Sequence, residues 1–224
     1  MVKLYYTPTS CGAANFIAAK IAGVHLETEQ VDISTHTTAS GKDFYSINPK
    51  GNVPCLVLDD GTILNENAAT LQYIADLVSG ILPLQWDVVY IYWQGDNNII
   101  APPVGTVERS LVQQALSYVG TEYHMTIGHL FNPNLDSTVR DYIHAAADRK
   151  LKYMNDHLIG NKSFLVGDKL SVADLYLYIA LTWSSYINID LSKFPVVLSY
   201  RERIGNLPEI QDAHAAIASN PSSI

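Results

Sequence analysis

Cys11 is the first residue whose type and place could do chemistry. A strand-like run, Lys3 to Thr7, is stopped by Pro8, and an alanine-rich helical stretch, Cys11 to Ala22, follows with Gly23 just past its end. Backbone N–H groups at a helix start point at such a thiol, and the helix dipole favours its thiolate. Tyr6, Thr7, Thr9 and Ser10 place hydroxyls in the same loop. Any of them could donate a hydrogen bond to a bound thiolate, and a lowered thiol pKa makes a nucleophile near neutral pH. The competing reading of Cys11 is a small buried hydrophobe, and that of Tyr6 is strand packing. The run Cys11-Gly12-Ala13-Ala14 holds no second cysteine, which argues against a dithiol oxidoreductase and leaves a mixed disulfide with a small thiol open.

Two further stretches could meet a ligand. Val53-Pro54 joins a turn to a strand, where a cis bond would turn the Val53 backbone outward to pair with an extended peptide-like ligand. Asn65-Glu66-Asn67 opens a helix whose free N–H groups suit a carboxylate, with Glu66 able to take an ammonium. A ligand carrying both groups, such as an α-amino acid, fits. Plain capping by Asn65 is the competing reading. His124 and His129 are five apart, share no helix face and make a poor metal pair, so no metal is expected.

The elements that must position these residues follow from pattern. Leu26 to Ile33 reads as a second strand, and Thr35 to Asn48 as a short helix or loop. Val53 to Leu58 runs into the hairpin signal Asp60-Gly61. From Glu66 the spacing of Ala68, Leu71, Ile74, Ala75 and Val78 is helical, closed by Gly80. The order strand, helix, strand, helix, strand, strand, helix implies a small α/β layer with a hairpin at one sheet edge. Beyond Ala101, Glu108 to His129, Ser137 to Leu158, Ser171 to Tyr186 and Phe194 to Ile204 read as helices. Ser171-Val172-Ala173-Asp174 is a capping box with Asp in place of Glu, opening an all-apolar core helix.

Composition bounds the function. The chain has 224 residues, 48% hydrophobic and 16% charged, enough for a sizeable core. The formal net charge of -8 argues against nucleic acid as a partner. No apolar stretch reaches the ~18 residues of a spanning helix, and the N-terminal run lacks a signal peptide's apolar region. With only Cys11 and Cys55, a reducing compartment is expected, so the protein is read as cytoplasmic and free of membrane.

Taken in order, Leu4-Tyr5-Tyr6 to Cys11, Val31-Asp32-Ile33, Asn48-Pro49-Lys50-Gly51-Asn52-Val53-Pro54, Leu58-Asp59-Asp60-Gly61, Thr121-Glu122-Tyr123-His124, Leu130-Phe131-Asn132-Pro133 and Ser171-Val172-Ala173-Asp174 resemble the cytosolic glutathione transferases, of the bacterial beta-class type. The resemblance implies a thioredoxin-like glutathione-binding domain over 1–80 and an all-helical domain over 101–224. Cys11 falls on the family's active-site cysteine, with Ser10 and Tyr6 as neighbouring hydroxyls. Val53 falls where backbone groups pair with the cysteinyl unit of glutathione, with cis Pro54 behind it. Glu66 and Asn67 fall where the γ-glutamyl end is held, and His124 on a histidine of the helical domain that faces the thiol. His36 stands where a lysine for the glycyl carboxylate is common, Ser117 where an asparagine is usual, Met125 where a lysine is usual, and Gly12 replaces a serine. Ser10 then shares the thiol-activating role.

The resemblance further implies a homodimer that takes glutathione as co-substrate, with no other cofactor. It conjugates glutathione to hydrophobic electrophiles, or exchanges thiols through Cys11 as a side activity on disulfides or peroxides. Tyr118, Ile127 and Trp183 are candidate walls of the electrophile pocket. A non-catalytic ligand-binding or dimerisation module is the alternative. Residues 81–98 do not fit the family's short linker, because Val88 to Trp93 is an unbroken apolar and aromatic run. They read as a packed element, an aromatic wall, or a translated intron, the last being preferred.

Overall fold

The computed structural model describes residues 2–79 and 100–219. The atypical segment 81–98 and the helix-closing Gly80 lie outside them. Contacts divide the chain into two compact units, Met1–Thr106 with Pro208–Ile224, and Val107–Leu207.

In the first unit, β1 (Lys3–Tyr6), α1 (Gly12–Ala22), β2 (Glu27–Asp32), β3 (Thr37–Thr38), β4 (Cys55–Val57), β5 (Ile63–Asn65) and α2 (Asn67–Ser79) follow in chain order. The strands form one sheet of order β3-β2-β1-β4-β5. β1 runs parallel to β2 and antiparallel to β4, with Tyr6 opposite Gln30 and Tyr5 opposite Cys55. Alternation sends Leu4, Tyr6 and Leu56 to one face and Tyr5 and Cys55 to the other. All five are buried. On the first face Tyr6 meets Phe16 of α1, ring centroids 5.3 Å apart. On the second, Tyr5, Val31, Phe44, Val53 and Cys55 form one apolar cluster. A sheet covered on both faces explains why β1 is nearly all apolar.

The hairpin forms as Asp60-Gly61 predicts, with β4 and β5 at the sheet edge. The stretch 35–48 is more structured than the sequence suggests. Thr37–Thr38 adds an antiparallel edge to β2, and Phe44–Ser46 makes a 3-10 turn that buries Phe44. Two residues carry no period, so pattern alone misses β3. Helix α1 is buried along almost its whole length and packs on β1, α2 and the last helix.

In the second unit α3 (Val107–Ser117) widens into π-helical turns over Tyr118–His124 before α4 (Met125–Gly128) and a 3-10 turn, His129–Phe131. Then come α5 (Ser137–Tyr153), continued as π turns over Met154–Ile159, α6 (Val172–Thr182) and α7 (Pro195–Gly205). The capping box of α6 is present, and every residue from Val172 to Leu181 is buried. Asp174, fully buried, accepts from the Ser171 N–H (2.9 Å) and hydroxyl (2.6 Å), the Leu165 N–H (2.8 Å) and the Tyr200 hydroxyl (2.6 Å). Burial raises its pKa against those hydrogen bonds.

One more helix, α8 (Pro208–Ala218), has no counterpart among the helices read from sequence. Its buried residues Ile210, Ala213 and Ile217 recur at helical spacing. α8 packs on α1 and groups with the first unit, so the last residues of the chain do not follow the 101–224 division read from sequence. Ile127 is fully buried, which removes it as a pocket wall. No helix among the described residues is long and apolar enough to cross a membrane.

Candidate functional site

Cys11 occupies the N-cap of α1, as its place after the β1 turn predicts. Its thiol donates to the Val53 carbonyl at 3.5 Å, joining two stretches 42 residues apart. The Val53-Pro54 bond is cis. The thiolate expected at a helix start is not what the environment favours. Burial pushes the Cys11 thiol up to about 12, outweighing the N–H groups of Cys11 and Gly12 that pull the other way. Only 8% of Cys11 is exposed, and removing water from a thiolate costs more than two N–H dipoles return.

The hydroxyls of this loop are engaged in holding it. Ser10 donates to the Thr7 carbonyl (2.8 Å) and accepts from the Gly12 N–H (3.1 Å), while Thr7 donates to the Val31 carbonyl (2.6 Å). Tyr6 is fully buried on Phe16. Burial raises its pKa, with Gln30 of the neighbouring strand opposing. Packing is thus the reading of Tyr6 that its surroundings support. A Cβ at Gly12 would stand 3.0 Å from the Tyr6 Cβ and 3.1 Å from the Ser10 Oγ, so a larger residue there needs its neighbours to give by a few tenths of an ångström.

The loop leading to Val53 is built by Asn48, which is fully buried. Its amide donates to the Asn52 carbonyl (2.7 Å), and its Oδ1 accepts from the Lys50 N–H (3.2 Å) and the Asn65 side chain (3.3 Å). Asn65 is therefore turned to Asn48 and away from the capping role. His36, at φ 52°, stacks on Tyr45 with ring centroids 4.4 Å apart. Its Nδ1 donates to the Gly51 carbonyl at 3.0 Å. At Gly51, φ is 66° and a Cβ would run into the Tyr45 ring, so only glycine fits beneath the His36–Tyr45 pair.

At the start of α2, Glu66 holds φ 76°, a left-handed backbone unusual for its type. Its carbonyl accepts from the N–H groups of Ala69 (2.9 Å) and Thr70 (3.0 Å), and its carboxylate pairs with Lys50. Asn67, the first residue of α2, is buried, with 7% of it exposed. Its Oδ1 accepts from Asn15 of α1 at 2.5 Å. Sequence reasoning missed Lys50, Tyr45 and Asn15. Each acts across a fold contact, 16, 9 and 52 residues from its partner, which no local pattern reports.

In the second unit, His124 ends the π-helical turns and is half-buried. Its Nδ1 and the Tyr176 hydroxyl share a hydrogen bond of 2.7 Å. Trp183 meets it edge-on at 4.8 Å, and Phe131 meets Trp183 at 5.8 Å. Burial lowers the His124 pKa, which keeps the ring neutral near pH 7. Tyr118 is elsewhere, stacked on Tyr153 at 5.0 Å with its hydroxyl on the Lys150 carbonyl. Ser117 is exposed, its carbonyl accepting from Thr121 at 2.9 Å.

Among the described residues, no three His, Cys, Asp or Glu side chains gather in a metal-holding group. The first unit thus brings together a capped thiol, a carbonyl edge and an acidic, N–H-rich helix start. The second gathers an aromatic group around one neutral imidazole.

Comparison with known proteins places this geometry. Residues 11–77 match the family model of the glutathione S-transferase N-terminal domain, and residues 123–215 that of the C-terminal domain. Glutathione S-transferase GstA of Escherichia coli O157:H7 is 31% identical over 96% of this chain and 98% of its own. The crystal structure of a glutathione transferase from Methylococcus capsulatus str. Bath is 39% identical, with a TM-score of 0.84 over 96% of this chain and 98% of that one. A sphingomonad glutathione S-transferase complexed with glutathione is 31% identical, with a TM-score of 0.82 over the same shares. The chain belongs to the glutathione S-transferase family.

Proposed function

We propose that the protein conjugates glutathione to hydrophobic electrophiles. The first unit holds glutathione, and the second contributes the exposed ring of Phe131, which meets the buried Trp183 beside His124. The observation that carries the reading is the Cys11 thiol on the Val53 carbonyl, 3.5 Å away. It puts a sulfur donor beside the backbone edge to which the family's resemblance assigns the cysteinyl unit.

The roles follow from chemistry. The Val53 backbone pairs with the peptide of glutathione. Glu66 takes the γ-glutamyl ammonium in competition with Lys50, and Asn67 takes the α-carboxylate. The glycyl carboxylate falls to His36. Ser10 and Cys11 each donate to a backbone carbonyl, Thr7 and Val53, and the weaker S–H bond of Cys11 is the one more readily released to a bound glutathione thiolate. Held protonated by burial, Cys11 stabilises that thiolate through its S–H instead of attacking as a thiolate itself. The glutathione sulfur then bonds to the electrophilic carbon, the leaving group departs with the electron pair, and the thiol proton has already passed to solvent. Ser117 and His124 are proposed contributions of the second unit. A cytoplasmic homodimer engaged in detoxification completes the reading.

Thiol exchange is the variant chemistry. There the Cys11 sulfur attacks a glutathione mixed disulfide, releases the other thiolate, and is freed by a second glutathione as oxidised glutathione forms. Cys11→Ala separates the two. Conjugation that falls no more than about tenfold, with exchange abolished, supports the donor role, in which one charge-assisted hydrogen bond is lost. Undiminished conjugation and exchange would remove Cys11 from the chemistry, and no activity with any thiol acceptor would favour a binding module.

A further inference from the structure

His36 leads into β3 and is half-buried. Two contacts fix its ring. Tyr45 stacks on it with centroids 4.4 Å apart, and its Nδ1 stands 3.0 Å from the Gly51 carbonyl oxygen. A carbonyl oxygen only accepts, so Nδ1 is the nitrogen that carries the proton. Turning the ring over would bring a carbon to the carbonyl and lose the bond. Moving the proton to Nε2 would set two lone pairs against each other across 3.0 Å. In the neutral ring Nε2 is therefore a bare acceptor, fixed as such by the bond its partner nitrogen makes. Nε2 has no hydrogen-bond partner among the described residues, and it is not one of the buried unpartnered atoms, so it is open to solvent.

A bare acceptor repels a carboxylate. The same ring with a second proton donates from both nitrogens, keeps its bond to Gly51 and adds a positive charge. An ordinary imidazole takes up that proton around pH 6.5, a range in which a lysine stays charged throughout. The charged and titratable groups on the surrounding elements are engaged elsewhere. Asp43 accepts from the Tyr45 N–H at 3.0 Å, Asp32 accepts from Ser34, and Lys50, beside Gly51, pairs with Glu66. Tyr45 is the titratable group in ring contact with His36.

We propose that His36 binds the glycyl carboxylate of glutathione only as an imidazolium, so that the site takes up a proton from solvent on Nε2 as the ligand arrives and its affinity for glutathione rises as pH falls. This rests on the glutathione reading above and on the place given there to the glycyl carboxylate. No bond in the ligand is made or broken. The device is specific to ligands that carry a carboxylate at that end.

The test is calorimetric titration of the full chain between pH 8 and 5.5 with two ligands, glutathione and its glycyl ethyl ester, each in two buffers of different ionisation enthalpy. Wild-type affinity for glutathione is expected to be about fivefold higher at pH 5.5 than at pH 7.5, as a charge-assisted hydrogen bond worth about tenfold is gained with the proton. The two buffers should report net proton uptake on binding glutathione and none on binding the ester, whose affinity stays level. His36→Gln should level the glutathione profile, and His36→Lys should hold the higher affinity across the range. The ester keeps the proposal falsifiable on the wild type alone, should either variant fold poorly, because groups such as His124 act on both ligands alike. A rise shared by the ester or surviving His36→Gln, or a level wild-type profile with measurable binding, would overturn the proposal. A wild type that binds neither ligand at any pH would instead remove the glutathione reading, and this proposal with it.

Discussion

The thiol of Cys11 donates a hydrogen bond to the carbonyl of Val53 across 3.5 Å, from a position only 8% exposed. Burial, helped by the charge of Glu66, opposes the N–H groups of Cys11 and Gly12 at the helix start, and burial prevails. The ligand-free protein should therefore react slowly with iodoacetamide at pH 8. Cys55 is buried as well, its thiol pushed up to about 11, so the rate is read in a Cys55→Ser variant. The rate should climb about tenfold per pH unit with no plateau below about pH 10. A plateau near pH 7 would mean that Cys11 is a thiolate and would return it to the role of nucleophile.

Gly12 is the position where the resemblance to the family implies a serine. A serine there should cost stability, because its Cβ meets the Tyr6 Cβ at 3.0 Å and the Ser10 Oγ at 3.1 Å at the β1–α1 junction. Gly12→Ser is expected to lose about 1–3 kcal/mol in denaturant unfolding. An unchanged midpoint would show that the junction has room to relax.

Gly51 and Gly61 both hold left-handed backbones, φ 66° and 84°, but only Gly51 lies under a ring. Gly61→Ala should cost about 1–2 kcal/mol for the backbone alone. Gly51→Ala should cost more, about 2–3 kcal/mol in total, as Tyr45 leaves its stack on His36. It should also weaken glutathione binding, which Gly61→Ala leaves alone. Equal costs and equal affinities would remove the His36–Tyr45 pair from the site.

His124 predicts a pH dependence. Its folded pKa lies below the ordinary value of 6.5 because burial disfavours the charged ring. The unfolded chain thus takes up the proton first, and stability falls as pH drops below about 6.5 until the folded ring also titrates. Each tenfold depression of proton affinity corresponds to about 1.4 kcal/mol. His124→Gln should flatten the decline between pH 7.5 and 5, leaving the part due to His214, which burial shifts in the same direction. A slope that survives His124→Gln in full would place the titration elsewhere.

Much of this was legible in the sequence where the signal is local. Gly23 ends α1 in the left-handed conformation its position foretells, Asp60-Gly61 turns the edge hairpin, and Ser171 with Asp174 caps α6. Each depends on neighbours within a few residues. Contacts between distant segments left no such trace. The Asn15–Asn67 bond spans 52 residues, and Tyr200 reaches Asp174 across 26. The raised pKa of Cys11 leaves no local trace for the same reason. Its place at a helix start is written locally, whereas the burial that raises its pKa comes from the whole unit. The π-helical turns that end at His124 were invisible too, because they keep a helix-like apolar pattern while adding a residue per turn.

The central claim is that the first unit binds glutathione through the carbonyl edge at Val53 and the start of α2. Calorimetric titration of glutathione into the full chain at neutral pH, alongside Glu66→Gln and Asn67→Ala, tests it most directly. A saturable isotherm of one site per chain is predicted, weakened about tenfold by either substitution as one ligand contact is lost. No heat of binding in the wild type, or affinity indifferent to Glu66 and Asn67, would contradict it.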